Sequence, residues 1–270
     1  MTFNAREIST DDGQPISLYL IEWGPTIYAY TSSDRPITYA GVTYLPEAIS
    51  DTGLTQGGSS QNDFTLDVPT SLPIVDLFRS TPPSEPIWLT ARRLHVGDGE
   101  APIFWIGTIS NVKRGDLANS QVIGRPLMAS FKRTGLRLAW TVGCPHFIYD
   151  KSCRVDPEAF VVNAVVATVT GTAITLTLPT GKPDDWFKGG FLSWPVTVEG
   201  TLERRMIETH TGITLGIYGT TDRLTVGTNV KLYPGCSRTS ETCETKFNNL
   251  ANLGGFDFMP NKSPFKSQIF

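Results

Sequence analysis

The sequence predicts a mainly β protein: an N-terminal β-barrel or sandwich, then a small cysteine-bearing α+β section interrupted by an all-β insertion. Three observations carry that prediction. The 25 Gly and 19 Pro among 270 residues leave little room for long helices. Thr alternates with Val, Ile and Leu along many short stretches, which suits pleated strands with one buried face. Turn residues break those stretches at short intervals, as in sandwiches and barrels. Hydrophobic residues make up 40% of the chain, enough for a substantial core.

Taken in order, Ile16–Ile21 alternates until Trp23-Gly24-Pro25 stops it, and Thr26–Tyr30 follows as a second strand. Ile37–Tyr44 reads as a tight hairpin about Ala40-Gly41. Residues 51–62 form a polar, glycine-rich connection to a strand at Phe64–Pro69. A short helix is expected within Ser71–Phe78, before Pro82-Pro83. Ile87–Leu94 and Ile103–Ile109 pair around Gly97-Asp98-Gly99, and residues 126–140 hold a short helix interrupted at Gly135. Strands return over 160–233: Ile174, Leu176 and Leu178 share one face, and Ile213, Leu215 and Ile217 alternate after the His210-Thr211-Gly212 turn. Leu224–Leu232 suggests a further hairpin through Gly227-Thr228-Asn229. A helix is expected over 241–250, capped by Thr239 or Ser240, with Cys243, Phe247 and Leu250 on one face and Gly254-Gly255 as its stop. The divisions are therefore 1–140, a cysteine section of 141–159 with 234–270, and an insertion of 160–233.

A net charge of −3 argues against a protein built to coat nucleic acid. No stretch reaches the length of a membrane span, and the first residues lack the apolar core of a signal peptide, so synthesis in a cytoplasm is expected. In that reducing compartment four cysteines point to metal ligation more than to disulfides. They form two pairs, Cys144-x8-Cys153 and Cys236-x6-Cys243, with 82 residues between the pairs. Four converging thiolates suit zinc or an iron–sulfur cluster. Zinc sites commonly space paired ligands by two to four residues, and gaps of eight and six favour a bulkier object. Spacing alone leaves four buried free thiols as the alternative. The loop at 144–153 and the helix at 241–250 carry few apolar residues to hold each other.

The residues around the cysteines add more. Cys144-Pro145-His146-Phe147-Ile148-Tyr149-Asp150-Lys151-Ser152-Cys153, Pro234-Gly235-Cys236, and Cys243-x3-Phe247-Asn248-Asn249-x2-Asn252-x-Gly254-Gly255-Phe256 together resemble a tail-tip hub family. That family includes the minor tail protein of lambda-like siphophages and a hub protein of gene transfer agents. His95-Val96-Gly97-Asp98, Trp105-Ile106-Gly107 and Arg133 look like its hub domain, more loosely. The resemblance implies a hub-type N-terminal domain and a non-enzymatic virion protein at the tail tip, assembled in the bacterial host cytoplasm. It implies a homotrimer joining the distal tail tube protein above to a central fibre protein below. It further implies a [4Fe–4S] cluster, with Cys144, Cys153, Cys236 and Cys243 as ligands and zinc as the less fitting occupant. The chain departs from the family's terminal Gly-Phe-Pro, reading Gly255-Phe256-Asp257-Phe258-Met259-Pro260.

Rival readings attach to the same residues. His146 is either a donor to a cluster sulfide, a zinc ligand, or a turn residue bonded to backbone. Asp150 reads as the acceptor of an Asx-turn. Cys144 with His146 or His210 suggests a cysteine-dependent peptidoglycan hydrolase, but a proline follows Cys144 and three cysteines are left without a purpose. Lys113, Arg114, Arg125, Lys132, Arg133 and Arg137 face only Asp116 in their stretch, yet no aromatic interleaving suits nucleic acid, and an acidic neighbour fits better. A carbohydrate-binding role for the insertion rests on its β character alone.

Overall fold

The computed structural model describes residues 3–11, 13–53, 63–115, 117–132, 135 and 140–259. The chain is mainly β and divides into two compact units, 1–133 with 195–203 and 134–194 with 204–270.

The first unit begins with a short helix α1 (Phe3–Ile8), followed by β1 (Pro15–Trp23), β2 (Thr26–Thr31), β3 (Ile37–Tyr39), β4 (Val42–Pro46), β5 (Ser50–Asp51) and β6 (Phe64–Pro69). One helical turn, α2 (Pro73–Asp76), precedes β7 (Trp88–His95), β8 (Ile103–Arg114) and β9 (Asn119–Pro126). These form a nine-stranded sheet ordered β3-β4-β2-β1-β7-β8-β9-β6-β5, in which β2 and β4 run parallel. The Ala40-Gly41 turn has φ of 50° and 80°, the left-handed pair that a two-residue hairpin needs, and Tyr39 pairs with Val42 across it. Phe64, Leu66 and Val68 are buried while Thr65 and Asp67 alternate outward. The Trp105 ring stacks on Phe64 at 4.7 Å, and it lies so close to Gly107 and Gly124 that a Cβ on either would sit 2.6 Å from it. His95 is buried beside the Phe3 ring, with Nε2 3.6 Å from a Glu7 carboxylate oxygen.

Residues 195–203 belong to this unit although they follow a strand of the other. Val196 packs on its core, the Thr201 hydroxyl donates to the Trp23 carbonyl at 3.0 Å, and it meets the Thr26 hydroxyl at 2.8 Å. Among the described residues of 126–140, a 3-10 segment at Leu127–Lys132 follows β9. Residues 54–62 of the polar connection, and 133, 134 and 136–139 of the interrupted helix, lie outside the described residues.

The second unit holds a closed barrel of β10 (Val162–Thr170), β11 (Ala173–Leu176), β12 (Phe191–Pro195), β13 (Leu202–Thr211), β14 (Thr214–Ile217) and β15 (Asn229–Tyr233). Ile174, Leu176, Ile207, Leu215, Ile217, Val230 and Leu232 fill it. Leu178 does not join that face: β11 ends at Leu176 and Leu178 is 73% exposed. The expected hairpin at 224–232 is corrected too. Leu224 is a buried loop residue, Thr225 and Thr228 close a turn through their hydroxyls, and only β15 is extended. The C-terminal helix α3 spans Ser240–Thr245 and stops well before Gly254, because Asn248 takes a left-handed φ of 47°. Leu250 is consequently exposed, on a separate 3-10 turn, while Cys243 and Phe247 are buried. Among the described residues no helix is long and apolar enough to cross a membrane.

Candidate metal centre

All four cysteines belong to the second unit, and all are free thiols. The loop carrying the first pair is shaped by one carboxylate. Asp150 accepts from the backbone N–H groups of Phe147 (3.1 Å), Ser152 (2.9 Å) and Cys153 (2.6 Å). Burial pushes its pKa up, but these donors and the nearby His146 outweigh that and hold it below the usual carboxylate range. The Asx-turn reading of Asp150 is therefore observed. Its neighbour Tyr149, at φ 66°, donates its hydroxyl to the Pro234 carbonyl at 2.8 Å, tying this loop to the turn before Cys236.

Aromatic side chains do the holding that the two cysteine segments lack. Tyr149 meets Phe191, Tyr233 and Phe247 edge-on, Phe160 meets Phe247 at 5.1 Å, and Phe191 stacks on Tyr233 at 4.4 Å. Loop and helix meet through Tyr149 and Phe247, and the further aromatic partners come from β12, β15 and the chain before β10. Cys236 follows a backbone contact that admits no side chain. A Cβ on Gly235 would lie 1.9 Å from the Lys188 carbonyl oxygen, and one on Gly190 would lie 2.0 Å from that of Tyr233.

Thr239 caps α3, its hydroxyl accepting from the Thr242 N–H at 3.3 Å, which sets Cys243 on the buried side. The Cys243 thiol donates to the Asn249 carbonyl at 3.2 Å. The other sulfurs each face a donor. The Gly254 N–H meets Cys144 Sγ at 3.4 Å, the Arg238 N–H meets Cys236 Sγ at 3.3 Å, and the Asn249 amide meets Cys153 Sγ at 3.8 Å. The Arg238 carbonyl also accepts from the Cys144 N–H at 2.9 Å, so one residue serves both pairs. The His146 ring packs on Gly254, where a Cβ would lie 2.4 Å from its Nε2.

The sulfurs sense one another. Burial raises the Cys243 pKa first, and negative charge on Cys236, Cys153 and Cys144 raises it further. Burial likewise lifts Cys236; the Arg238 N–H opposes it, and Cys153 and Cys144 add to it. Burial and then the charges of Cys153 and Cys236 push Tyr149 upward in the same way. Yet among the described residues no three His, Cys, Asp or Glu side chains are grouped tightly enough to hold one metal ion. N–H donors are aimed at three of the four sulfurs, a donor set of the kind that an iron–sulfur centre takes.

Lys246 is a residue that sequence reasoning missed. Its ammonium donates to the carbonyls of Trp186 (2.5 Å) and Gly235 (2.7 Å) and lies over the Trp186 ring at 4.4 Å. Burial lowers its pKa to about 8, against the opposing charge of Cys236. No sequence signal marks it beyond its place one turn after Cys243. Of the two hydrolase pairings, that of Cys144 with His210 finds no support in geometry: His210 is fully buried against the Phe187 ring, a position closed to substrate. In the basic stretch Arg114 pairs with Asp76 at 3.1 Å, while the Lys132 side chain, Arg133 and Arg137 lie outside the described residues. Trp140, Gly255, Phe256, Asp257, Phe258 and Met259 line an open apolar groove of about 590 Å³, with Trp140 stacked on Phe256 at 4.5 Å.

Residues 185–263 match the family described as Phage conserved hypothetical protein BR0599. That segment contains Cys236, Cys243 and the Asn249–Gly255 stretch, and omits the first cysteine pair. Among solved structures the chain is similar to a component of the "Virion of native gene transfer agent (GTA) particle". The similarity has a TM-score of 0.82 at 18% identity and covers 99% of this chain and 95% of that one. No curated protein matches the sequence.

Proposed function

We propose that this chain is a structural subunit of a phage-type tail tip. It is a hub protein whose homotrimeric ring joins the tail tube to a central fibre and which holds a [4Fe–4S] cluster through Cys144, Cys153, Cys236 and Cys243. The observation that carries the tail-tip reading is the fold, shared along nearly the whole chain with a component of a gene transfer agent virion. The phage family match over the second cysteine pair points the same way. So does the surface: Trp140, Phe256 and Phe258 are 73%, 45% and 100% exposed, and about 25 cal/mol per Å² of apolar area favours covering them in an assembly.

The centre is structural and has no turnover. When bound, the cluster supplies iron–thiolate bonds that cross-link the 144–153 loop to the Cys236 turn and α3. Asp150 sets the loop, Arg238 and Gly254 direct N–H groups at sulfur, and Asn249 reaches Cys153 from the far side of α3. His146 packs on Gly254, whose N–H meets Cys144 Sγ, and in this reading would donate toward a cluster sulfide.

The test is the particle itself. In particles purified from a producing culture, an affinity-tagged chain is expected at the tail tip in three copies. Normal infectious tails that lack the chain would overturn the reading.

A further inference from the structure

Lys246 stands apart from the rest of the centre. It ligates nothing, yet it is anchored at four points: the Trp186 carbonyl, the Gly235 carbonyl, the Trp186 ring face at 4.4 Å, and the Phe247 ring at 5.4 Å. Lys182 lies over the same Trp186 ring at 5.1 Å, so the indole serves two cations. A lysine with only a packing role leaves its head in water along a buried stem. Here the ammonium is turned inward, onto the carbonyl that immediately precedes Cys236.

We propose that Lys246 is the positioning residue and counter-charge of the four-cysteine centre. Its ammonium clamps the Gly235 carbonyl so that the Gly190–Gly235 contact presents Cys236, and it offsets the negative charge that four thiolates concentrate. The inference rests on the proposed iron–sulfur reading of the cysteines. Its chemistry is that of charge near a cluster: a fixed cation stabilises the more negative, reduced state and raises the reduction potential. The carbonyl clamp acts separately, by holding the Gly235–Arg238 turn that directs an N–H at Cys236.

The experiment compares the full chain with Lys246→Met, which keeps length and loses charge, and Lys246→Arg, which keeps charge. Each is loaded anaerobically with equal amounts of ferrous and ferric iron and with sulfide. The iron that Lys246→Met holds is expected to show a more negative midpoint potential than the parent's, with Lys246→Arg close to the parent. In the metal-free chain, amide exchange at Cys236 and Arg238 is expected to quicken about tenfold in Lys246→Met and to stay near the parental rate in Lys246→Arg. If Lys246→Met does not fold, Lys246→Gln, which keeps one amide donor without the charge, makes the same comparison. Unchanged potential in a loaded neutral variant, with unchanged exchange in its metal-free form, would overturn the role of Lys246 and leave the iron–sulfur reading standing. A parent chain that takes up no iron would overturn the iron–sulfur reading, and this inference with it.

Discussion

The Asn249 side-chain amide donates to the Cys153 carbonyl at 2.6 Å, joining residues 96 positions apart. The Asn249 backbone serves the other pair, its carbonyl accepting from the Cys243 thiol and its N–H donating to the Cys243 carbonyl at 2.9 Å. Asn252 fixes the orientation by donating to Asn249 Oδ1 at 2.6 Å. One asparagine thus sets the separation between a loop cysteine and a helix cysteine.

Replacing Asn249 with Leu leaves the Cys153 carbonyl and the Asn252 amide without their partner. The expected cost is about 1–3 kcal/mol in the metal-free chain, read by urea unfolding. Iron retained under chelator challenge is expected to fall as well. Asn252→Ala is expected to show a smaller loss of the same kind.

Gly235→Ala forces a methyl group into the Lys188 carbonyl and the backbone of Gly189 and Gly190. Backbone cannot swing aside as a flexible side chain does. The expected loss is at least about 2 kcal/mol, seen as a lowered thermal midpoint. Gly99→Ala, where nothing lies within 4 Å of the added carbon, serves as the control and is expected to change little.

Metal removal is expected to act locally. The aromatic cluster of Tyr149, Phe160, Phe191, Tyr233 and Phe247 joins the cysteine segments to β12 and β15 through contacts that involve no metal. Hydrogen exchange after chelation should therefore quicken at 144–153 and 236–256 while β10–β15 and the first unit stay protected. Loss of protection throughout the barrel would contradict this division of labour.

How far the sequence reveals this protein depends on whether the deciding interaction is local. The Ala40-Gly41 hairpin, the alternation of Phe64, Leu66 and Val68, the Thr239 cap and the Asp150 turn are local, and each is readable from neighbouring residues. The helix at 241–250 is misjudged because Leu250 fits the helical period, whereas the left-handed Asn248 breaks the chain two residues earlier. Membership of residues 195–203 in the first unit rests on Thr26–Thr201 and Trp23–Thr201 contacts between distant segments, which no periodicity marks. At the centre, the cysteines and Asp150 are legible by type and spacing. Lys246 is not, since its partners are the backbone carbonyls of Trp186 and Gly235.

His210 offers a test of the barrel core. It is fully buried and neither ring nitrogen has a hydrogen-bond partner among the described residues, so its polarity is a cost without return. His210→Leu is expected to stabilise the chain by about 1 kcal/mol in denaturant unfolding. A loss of similar size would show that the imidazole has a partner that the fold depends on.

The most direct measurement is iron and acid-labile sulfide per chain in protein purified without oxygen, alongside its visible absorbance. The account predicts a brown protein with about four iron and four sulfide per chain, reduced in each single Cys→Ser variant at 144, 153, 236 and 243. A colourless protein with one zinc per chain, or iron unchanged by all four substitutions, would contradict it.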